Sequence, residues 1–328
     1  MKDMPIVSIL VPIYRVEKYI EKCARSVFEQ TYSEIEYIFV DDCSPDNSIA
    51  VLQSVLKDYP TREPLVKIIH HEQNRGLAAA RNTAVQHASG DYIMHVDSDD
   101  YLELDAVEKA VAKAQSENAD VVIFDMNKVF TNIIIRGYSD VPKNRMTYIH
   151  KIIQRDCSAN IWGGLYRRSL YTENNVWAIE GLNYGEDYAT KPRLIYYAQR
   201  ISDLPEPLYN YVQYNSNAYT QNVTRKSIED VLKACEILES FFHNLKDNTL
   251  NYDEIDAELK IRNKVFLLEY CKKEDRKYVN GLFPEMKDKN TPMALKHKIV
   301  WWLSCRNMLL AMNTYISVSH MVKRIFHI

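Results

Sequence analysis

Short apolar runs alternate with helical segments across the first 125 residues of this 328-residue chain. That alternation restricts the fold more than any other feature. Runs at 6–12, 35–40, 66–70, 92–96 and 120–124 are rich in Val, Ile, Leu, Phe and Tyr. Their near-continuous apolarity predicts strands buried on both faces rather than a half-solvated sheet. Between them, 16–30, 48–56, 76–88 and 106–115 carry helical periodicity; Tyr19, Ile20, Cys23, Val27 and Phe28 fall on one stripe. Strand–helix alternation of this kind builds βαβ units and a parallel sheet. Pro12 stands at the end of the first strand, where a missing N–H does no harm.

Two of these strands run straight into carboxylates. The second ends in Asp41-Asp42, and the fourth in Asp97-Ser98-Asp99-Asp100. Right-handed crossovers bring the carboxyl ends of parallel strands to one rim, where open α/β sheets bind ligands. Clustered carboxylates repel unless a cation lies between them, so Asp97 and Asp99 are candidates for a hard divalent ion with a phosphate on its far side. The bland alternative is a turn and a helix N-cap. It suits Asp100, which is expected to cap the helix at 106–115. The first strand is followed by neither GxGxxG nor GxxxxGK[ST], which disfavours dinucleotide and P-loop sites. His70-His71 could suggest a metal pair, but adjacent strand residues point to opposite faces, so both are expected to be structural.

Composition excludes several classes. With 46% hydrophobic and 26% charged residues the chain can bury a sizeable core. A net charge of -3 gives no basic field for nucleic acid. Six scattered cysteines form no CxxC pair, which fits a reducing compartment without zinc or disulfides. No signal peptide and no apolar run of about 18 residues stand out, so the expected location is cytoplasmic.

Ordered segments then carry a resemblance. Val7-Ser8-Ile9-Leu10-Val11-Pro12-Ile13-Tyr14, Val40-Asp41-Asp42-Cys43-Ser44-Pro45-Asp46-Asn47-Ser48, Asn74-Arg75-Gly76-Leu77-Ala78-Ala79-Ala80-Arg81-Asn82 and Asp97-Ser98-Asp99-Asp100 resemble the successive motifs of family-2 glycosyltransferases. The resemblance implies a GT-A fold with a mostly parallel sheet between helices and inverting sugar transfer, usually from a UDP-sugar. It also implies Mn2+ or Mg2+ at the Asp97/Asp99 pair. It places Pro12, Tyr14 and Glu17 around the nucleoside, Asp42 at the base or ribose, Asp97 and Ser98 at the donor, and Arg81 within reach of the diphosphate or donor sugar. An exposed helix cation is the alternative for Arg81. Departures from the common pattern are Arg15 for Asn, Cys43 for Gly, Pro45 for Thr and Ala84 for Gly.

The second half continues the resemblance. Residues 127–138 read as strands. Asn160-Ile161-Trp162-Gly163-Gly164-Leu165-Tyr166 resembles a segment usually reading Trp-Gly-Lys-Leu-Tyr, with Gly164 for the lysine. Trp162 either stacks on an acceptor sugar or packs. Glu186-Asp187, at the start of a helix, matches the family's Glu-Asp pair. By resemblance Asp187 is the base that takes the acceptor hydroxyl's proton, and Glu186 supports it or binds acceptor. The expected organisation is a catalytic domain over 1–220, in a nucleotide-sugar half (1–125) and an acceptor half (126–220), then a helical region over 221–328.

In that region Ser227-Ile228-Glu229-Asp230 reads as a capping box, with helices at 252–273 and 293–328. No acid follows Asp288, while Lys289, Lys296, Lys298, Arg306, Lys323 and Arg324 accompany Trp301, Trp302, Leu309, Leu310, Ile325 and Phe326. That mixture fits peripheral membrane contact through 293–328, or packing on the catalytic domain or in a homodimer. The implied partners are a nucleotide-sugar donor and a glycan or lipid-linked acceptor. A metal-dependent nucleotidyltransferase and a non-catalytic sugar-binding scaffold are the rival classes.

Overall fold

The computed structural model describes residues 4–215 and 223–326. The side chains of Lys323, Arg324, Ile325 and Phe326, part of the basic–apolar reading of the C-terminus, lie outside the described set. The chain divides into two compact units. One comprises Met1–Ile149 and Cys157–Ala218, the other His150–Asp156 and Tyr219–Ile328. The short segment His150–Asp156, expected in the first region, thus belongs to the second unit.

The first unit opens with β1 (Val7–Ile13), α1 (Ile20–Phe28), β2 (Ile35–Asp41), α2 (Ser48–Leu56), β3 (Val66–His70), α3 (Leu77–His87) and β4 (Tyr92–His95). Every residue of β1 and β4 is buried, as their unbroken apolarity requires of strands covered on both faces. After β4 come β5 (Tyr101–Leu102), α4 (Ala106–Glu117), β6 (Val121–Val129), β7 (Ile134–Gly137), α5 (Arg145–Ile153), β8 (Gly164–Arg167), α6 (Ser169–Thr172), α7 (Glu186–Tyr197) and β9 (Ile201–Val212).

The strands form one sheet in the order β3-β2-β1-β4-β8-β6-β9-β5, with β7 paired to β6. Neighbours from β3 to β4 are parallel. β8 runs against both β4 and β6, and β9 runs with β6. β3, β2, β1, β4, β6 and β9 therefore share one direction, which makes the described sheet mostly parallel. Ile13 pairs with Asp41 and Leu10 with His95, so the carboxyl ends of β1, β2 and β4 lie side by side. The acids that follow β2 and β4 share that rim.

In β9, Pro205 and Pro207 argue against a strand in sequence. The strand accommodates them by a bulge: the register along β6 jumps from Phe124↔Leu204 to Asp125↔Pro207 and then to Met126↔Tyr209.

The second unit is helical: α8 (Arg225–Asn244), α9 (Tyr252–Tyr270), α10 (Arg276–Asn280), α11 (Leu295–Cys305) and α12 (Leu309–Phe326). The capping box lies three residues before the expected one. Thr224 is the N-cap, accepts from the Ser227 amide, and donates its own amide to Ser227 Oγ. α9 buries residues around its whole circumference, including Glu258, Arg262 and Asn263, as the helix against which α8, α10 and α11 pack. The continuous helix expected over 293–328 is two helices, because Asn307 adopts a left-handed φ of 54° after α11. Among the described residues no helix is long and apolar enough to cross a membrane. Cys23, Cys43, Cys235, Cys271 and Cys305 carry free thiols.

Candidate active site

Arg81 joins the two halves of the first unit. It enters from α3 and its side chain is only 3% exposed. Nη2 donates to Asp97 Oδ1 at 2.8 Å, while Nη1 donates to Glu186 Oε1 at 3.0 Å and to Asp187 Oδ1 at 2.5 Å. The acid after β4 and the acid pair opening α7 are thus fastened to one guanidinium. Of the two expectations for Arg81, the exposed cation is excluded. The diphosphate contact finds both terminal nitrogens already engaged by carboxylates, and among the described residues the buried Nε has no hydrogen-bond partner.

One guanidinium cannot neutralise three carboxylates. Burial and the neighbouring Asp187 push the Glu186 carboxyl up, and burial together with Asp97 raises Asp187 against the opposing pull of Arg81. Asp187 also accepts at Oδ2 from the Ile161 amide at 3.3 Å, so its carboxylate is held from both sides. Gly185, the N-cap of α7, has a φ of 94° that turns the chain into the helix just before the pair.

Asp99 accepts from Asn215 Nδ2 at 2.7 Å. Among the described residues it has no cationic partner, and burial with the Asp97 charge raises its carboxyl. Two crowded acids, one of them lacking a cation, suit a hard divalent ion, and Asp97 and Asp99 would hold it.

Asp100 does not cap α4. It is buried, accepting from the Tyr209 hydroxyl at 2.8 Å and the Val212 amide at 2.7 Å, while Asp105 occupies the N-cap of α4. The Asp97 amide donates to that same Tyr209 hydroxyl at 3.1 Å. β9 and the residues after it, through Tyr209, Val212 and Asn215, therefore shape the acidic loop. No motif marks these residues. The alternation Leu208-Tyr209-Asn210-Tyr211-Val212 was the available signal, masked by the two prolines.

Asp42 is also held internally. Oδ1 accepts from the Arg75 amide at 2.8 Å and lies 2.7 Å from His71 Nδ1; Oδ2 accepts from Asn74 Nδ2 at 2.9 Å and the Gly76 amide at 2.8 Å. The carboxylate, expected at the base or ribose, fastens the loop entering α3. His70 Nδ1 lies 2.9 Å from Asp41 Oδ2, so the two histidines lie against different aspartates. Pro12 is buried at the end of β1 and Tyr14 is half-buried, with Arg15 against its ring. Glu17 accepts from the Asn47 amide and side chain at 3.2 Å each, tying the loops after β1 and β2 together. Ser98 is buried between the two acids.

Trp162 is 6% exposed, stacked on Tyr209 at 4.6 Å and tilted against Tyr211 at 4.8 Å. Its surroundings fit the packing alternative. A side chain at Gly164 would meet Ile123 Cδ1 at 2.9 Å and the Tyr166 ring at 3.0 Å, which leaves no room here for the lysine of the resembling segment.

A mostly parallel sheet covered by helices, with acids converging on its carboxyl rim and a second acid pair brought to them by Arg81, is the architecture of a GT-A nucleotide-sugar transferase. The chain belongs to glycosyl transferase family 2, whose model matches residues 8–173. It is 30% identical to the uncharacterized glycosyltransferase EpsJ of Bacillus subtilis (strain 168), over 74% of this chain and 70% of that protein. It is 26% identical to the poly(ribitol-phosphate) beta-N-acetylglucosaminyltransferase TarS of Staphylococcus aureus (strain Mu50 / ATCC 700699), over 84% of this chain and 48% of that one. The crystal structure of S. aureus TarS 1–349 in complex with UDP-GlcNAc shares the fold, with a TM-score of 0.73 at 20% identity over 96% of this chain and 92% of that one. The chain is a glycosyltransferase.

Proposed function

We propose that this glycosyltransferase moves a sugar from a UDP-sugar to a glycan or lipid-linked acceptor with inversion, in the synthesis of a surface polysaccharide. The observation that carries the reading is the Arg81 cluster, which ties Asp97 to the Glu186-Asp187 pair. The similarity to TarS, whose structure holds UDP-GlcNAc, supports a UDP-sugar.

In this mechanism Asp187 is the base. Its carboxylate, oriented by Arg81 and the Ile161 amide, accepts the acceptor hydroxyl's proton as the oxygen attacks the anomeric carbon. Arg81 favours the ionised form of Asp187, while burial and the neighbouring Asp187 push the Glu186 carboxyl up. Mn2+ or Mg2+, when held by Asp97 and Asp99, would neutralise the departing diphosphate. Pro12, Tyr14 and Glu17, at or beyond the end of β1, would border the nucleoside, and Asp42, just after β2, would lie at the base or ribose.

The acceptor reading extends to the second unit. On α12, Leu310, Val318, Met321 and Val322 are exposed while Met312 and Ile316 are buried on the other side. Leu310 is 85% exposed. With exposed Lys296, Lys298 and Arg306 and no acid after Asp288, this face suits an anionic membrane surface carrying a lipid-linked acceptor.

A thermal-shift screen of nucleotide sugars with and without Mn2+ tests the donor. A UDP-sugar should stabilise the protein, and more so with the ion; no response to any UDP-sugar would reject the reading. Asp187→Asn should fold and bind donor but lose transfer by at least about a hundredfold. Retained turnover would remove Asp187 from the role of base.

A further inference from the structure

Lys191 lies on α7 one turn after Asp187, and its side chain is among the largest fully buried ones, at 2% exposure. Among the described residues it makes no ion pair with a carboxylate. Its ammonium instead donates to the backbone carbonyls of Ser158 at 3.1 Å and Asn160 at 2.9 Å, beside the Tyr148 ring at 5.6 Å. A buried ammonium without a carboxylate partner is costly, and a methionine would fill the same space without that cost. Packing alone therefore gives no reason for a lysine here.

The loop that Lys191 grips is the one that serves Asp187. Residues 158–163 have no regular structure, and the next amide after Asn160, that of Ile161, donates to Asp187 Oδ2. We propose that Lys191 is a positioning residue for the catalytic base: it clasps the 158 and 160 carbonyls so that the Ile161 amide stays aimed at Asp187, and it lends positive charge to that carboxylate. This rests on the reading of Asp187 as the base. The groups facing the ammonium are Asp187 on its own helix, Tyr148 on α5 and Cys157 in the loop, while Asp187 also faces Arg81, Asp97 and Glu186. Asp187 is the carboxylate whose ionised form the Lys191 charge favours, and burial pulls the lysine itself down to about 8.

Lys191→Met tests this through UDP release from UDP-N-acetylglucosamine with Mn2+, followed against pH, and through hydrogen exchange of the Ile161 amide. The expected result is a fall in kcat of about ten- to a hundredfold with donor KM within about threefold. The acid limb of the kcat profile should move to higher pH, because Asp187 ionises less readily, and amide 161 should exchange faster. Unchanged kcat with an unmoved acid limb, or unchanged exchange at amide 161, overturns the proposal. If the variant does not fold, the wild-type protein decides: amide 161 must exchange as slowly as the α7 amides, and open-loop exchange overturns the proposal. Asp187→Asn separates the two readings. If it still turns over, the base assignment falls, and amide 161 in Lys191→Met still decides whether Lys191 holds the loop.

Discussion

Arg15 and Cys43 replace the Asn and Gly of the resembling motifs, and both sit in the left-handed region, with φ of 55° and 56°. Asn and Gly tolerate that conformation; an arginine and a cysteine are strained by it, at about 1–2 kcal/mol per residue. The Arg15 amide is bound to Ser44 Oγ at 2.8 Å, and the Ser44 amide to Asp41 Oδ1 at 2.8 Å, so the surrounding loops hold the strained turns in place. Cys43→Gly should therefore stabilise the protein by about 0.5–1 kcal/mol, after allowing for the extra entropy of glycine in the unfolded chain. Urea unfolding of the two proteins measures this, and an unchanged or lowered midpoint would show the turn unstrained. The sequence marks both positions as unusual, but only the backbone angles say why they matter.

At the scale of elements, the segment closing α5 is tied to α9 inside the second unit. His150 Nδ1 lies 2.6 Å from Glu258 Oε2, Gln154 Nε2 donates to Glu258 Oε1 at 2.5 Å, and Arg155 donates to Asn263 Oδ1. Hydrogen bonding to Glu258 raises the His150 pKa against the effect of burial. The pair's contribution is thus complete below the unfolded histidine value of about 6.5 and is lost as pH rises through the higher folded value. His150→Gln should cost more stability at pH 6 than at pH 9, read from chemical unfolding. Equal losses at both pH values would deny the link. The strands of the first half were legible because each is a closed apolar run. β9 was not, because its prolines break the strand pattern and the bulge that absorbs them exists only against β6.

For the molecule as a whole, the second unit carries an apolar face that its own packing leaves exposed. Arg306 and the α11 lysines supply positive charge beside Trp302, Met308 and Leu310. Full-length protein should co-sediment with vesicles containing anionic lipid and be released by salt, and deletion of 293–328 should abolish this while leaving donor-induced thermal shifts in place. Equal partition of both proteins, or no binding by the full chain, would reject a membrane role for the face. The mixture of basic and apolar residues was readable beforehand; the break at Asn307 and the opposition of Met312 and Ile316 to the exposed residues were not.

Sequence by itself determined the parallel half of the sheet, its acid-bearing rim and the family, because strand burial and strand-end loops are local patterns. Tertiary structure alone decided what each acid does. Asp42, Asp99, Asp100 and Asp187 look alike in sequence, yet one fastens a loop, one is crowded by Asp97 and bound by Asn215, one clamps β9, and one is held by Arg81 and the Ile161 amide. A carboxylate's role follows from the donors and charges around it. Here those come from residues up to 116 positions away along the chain, so no local pattern records them.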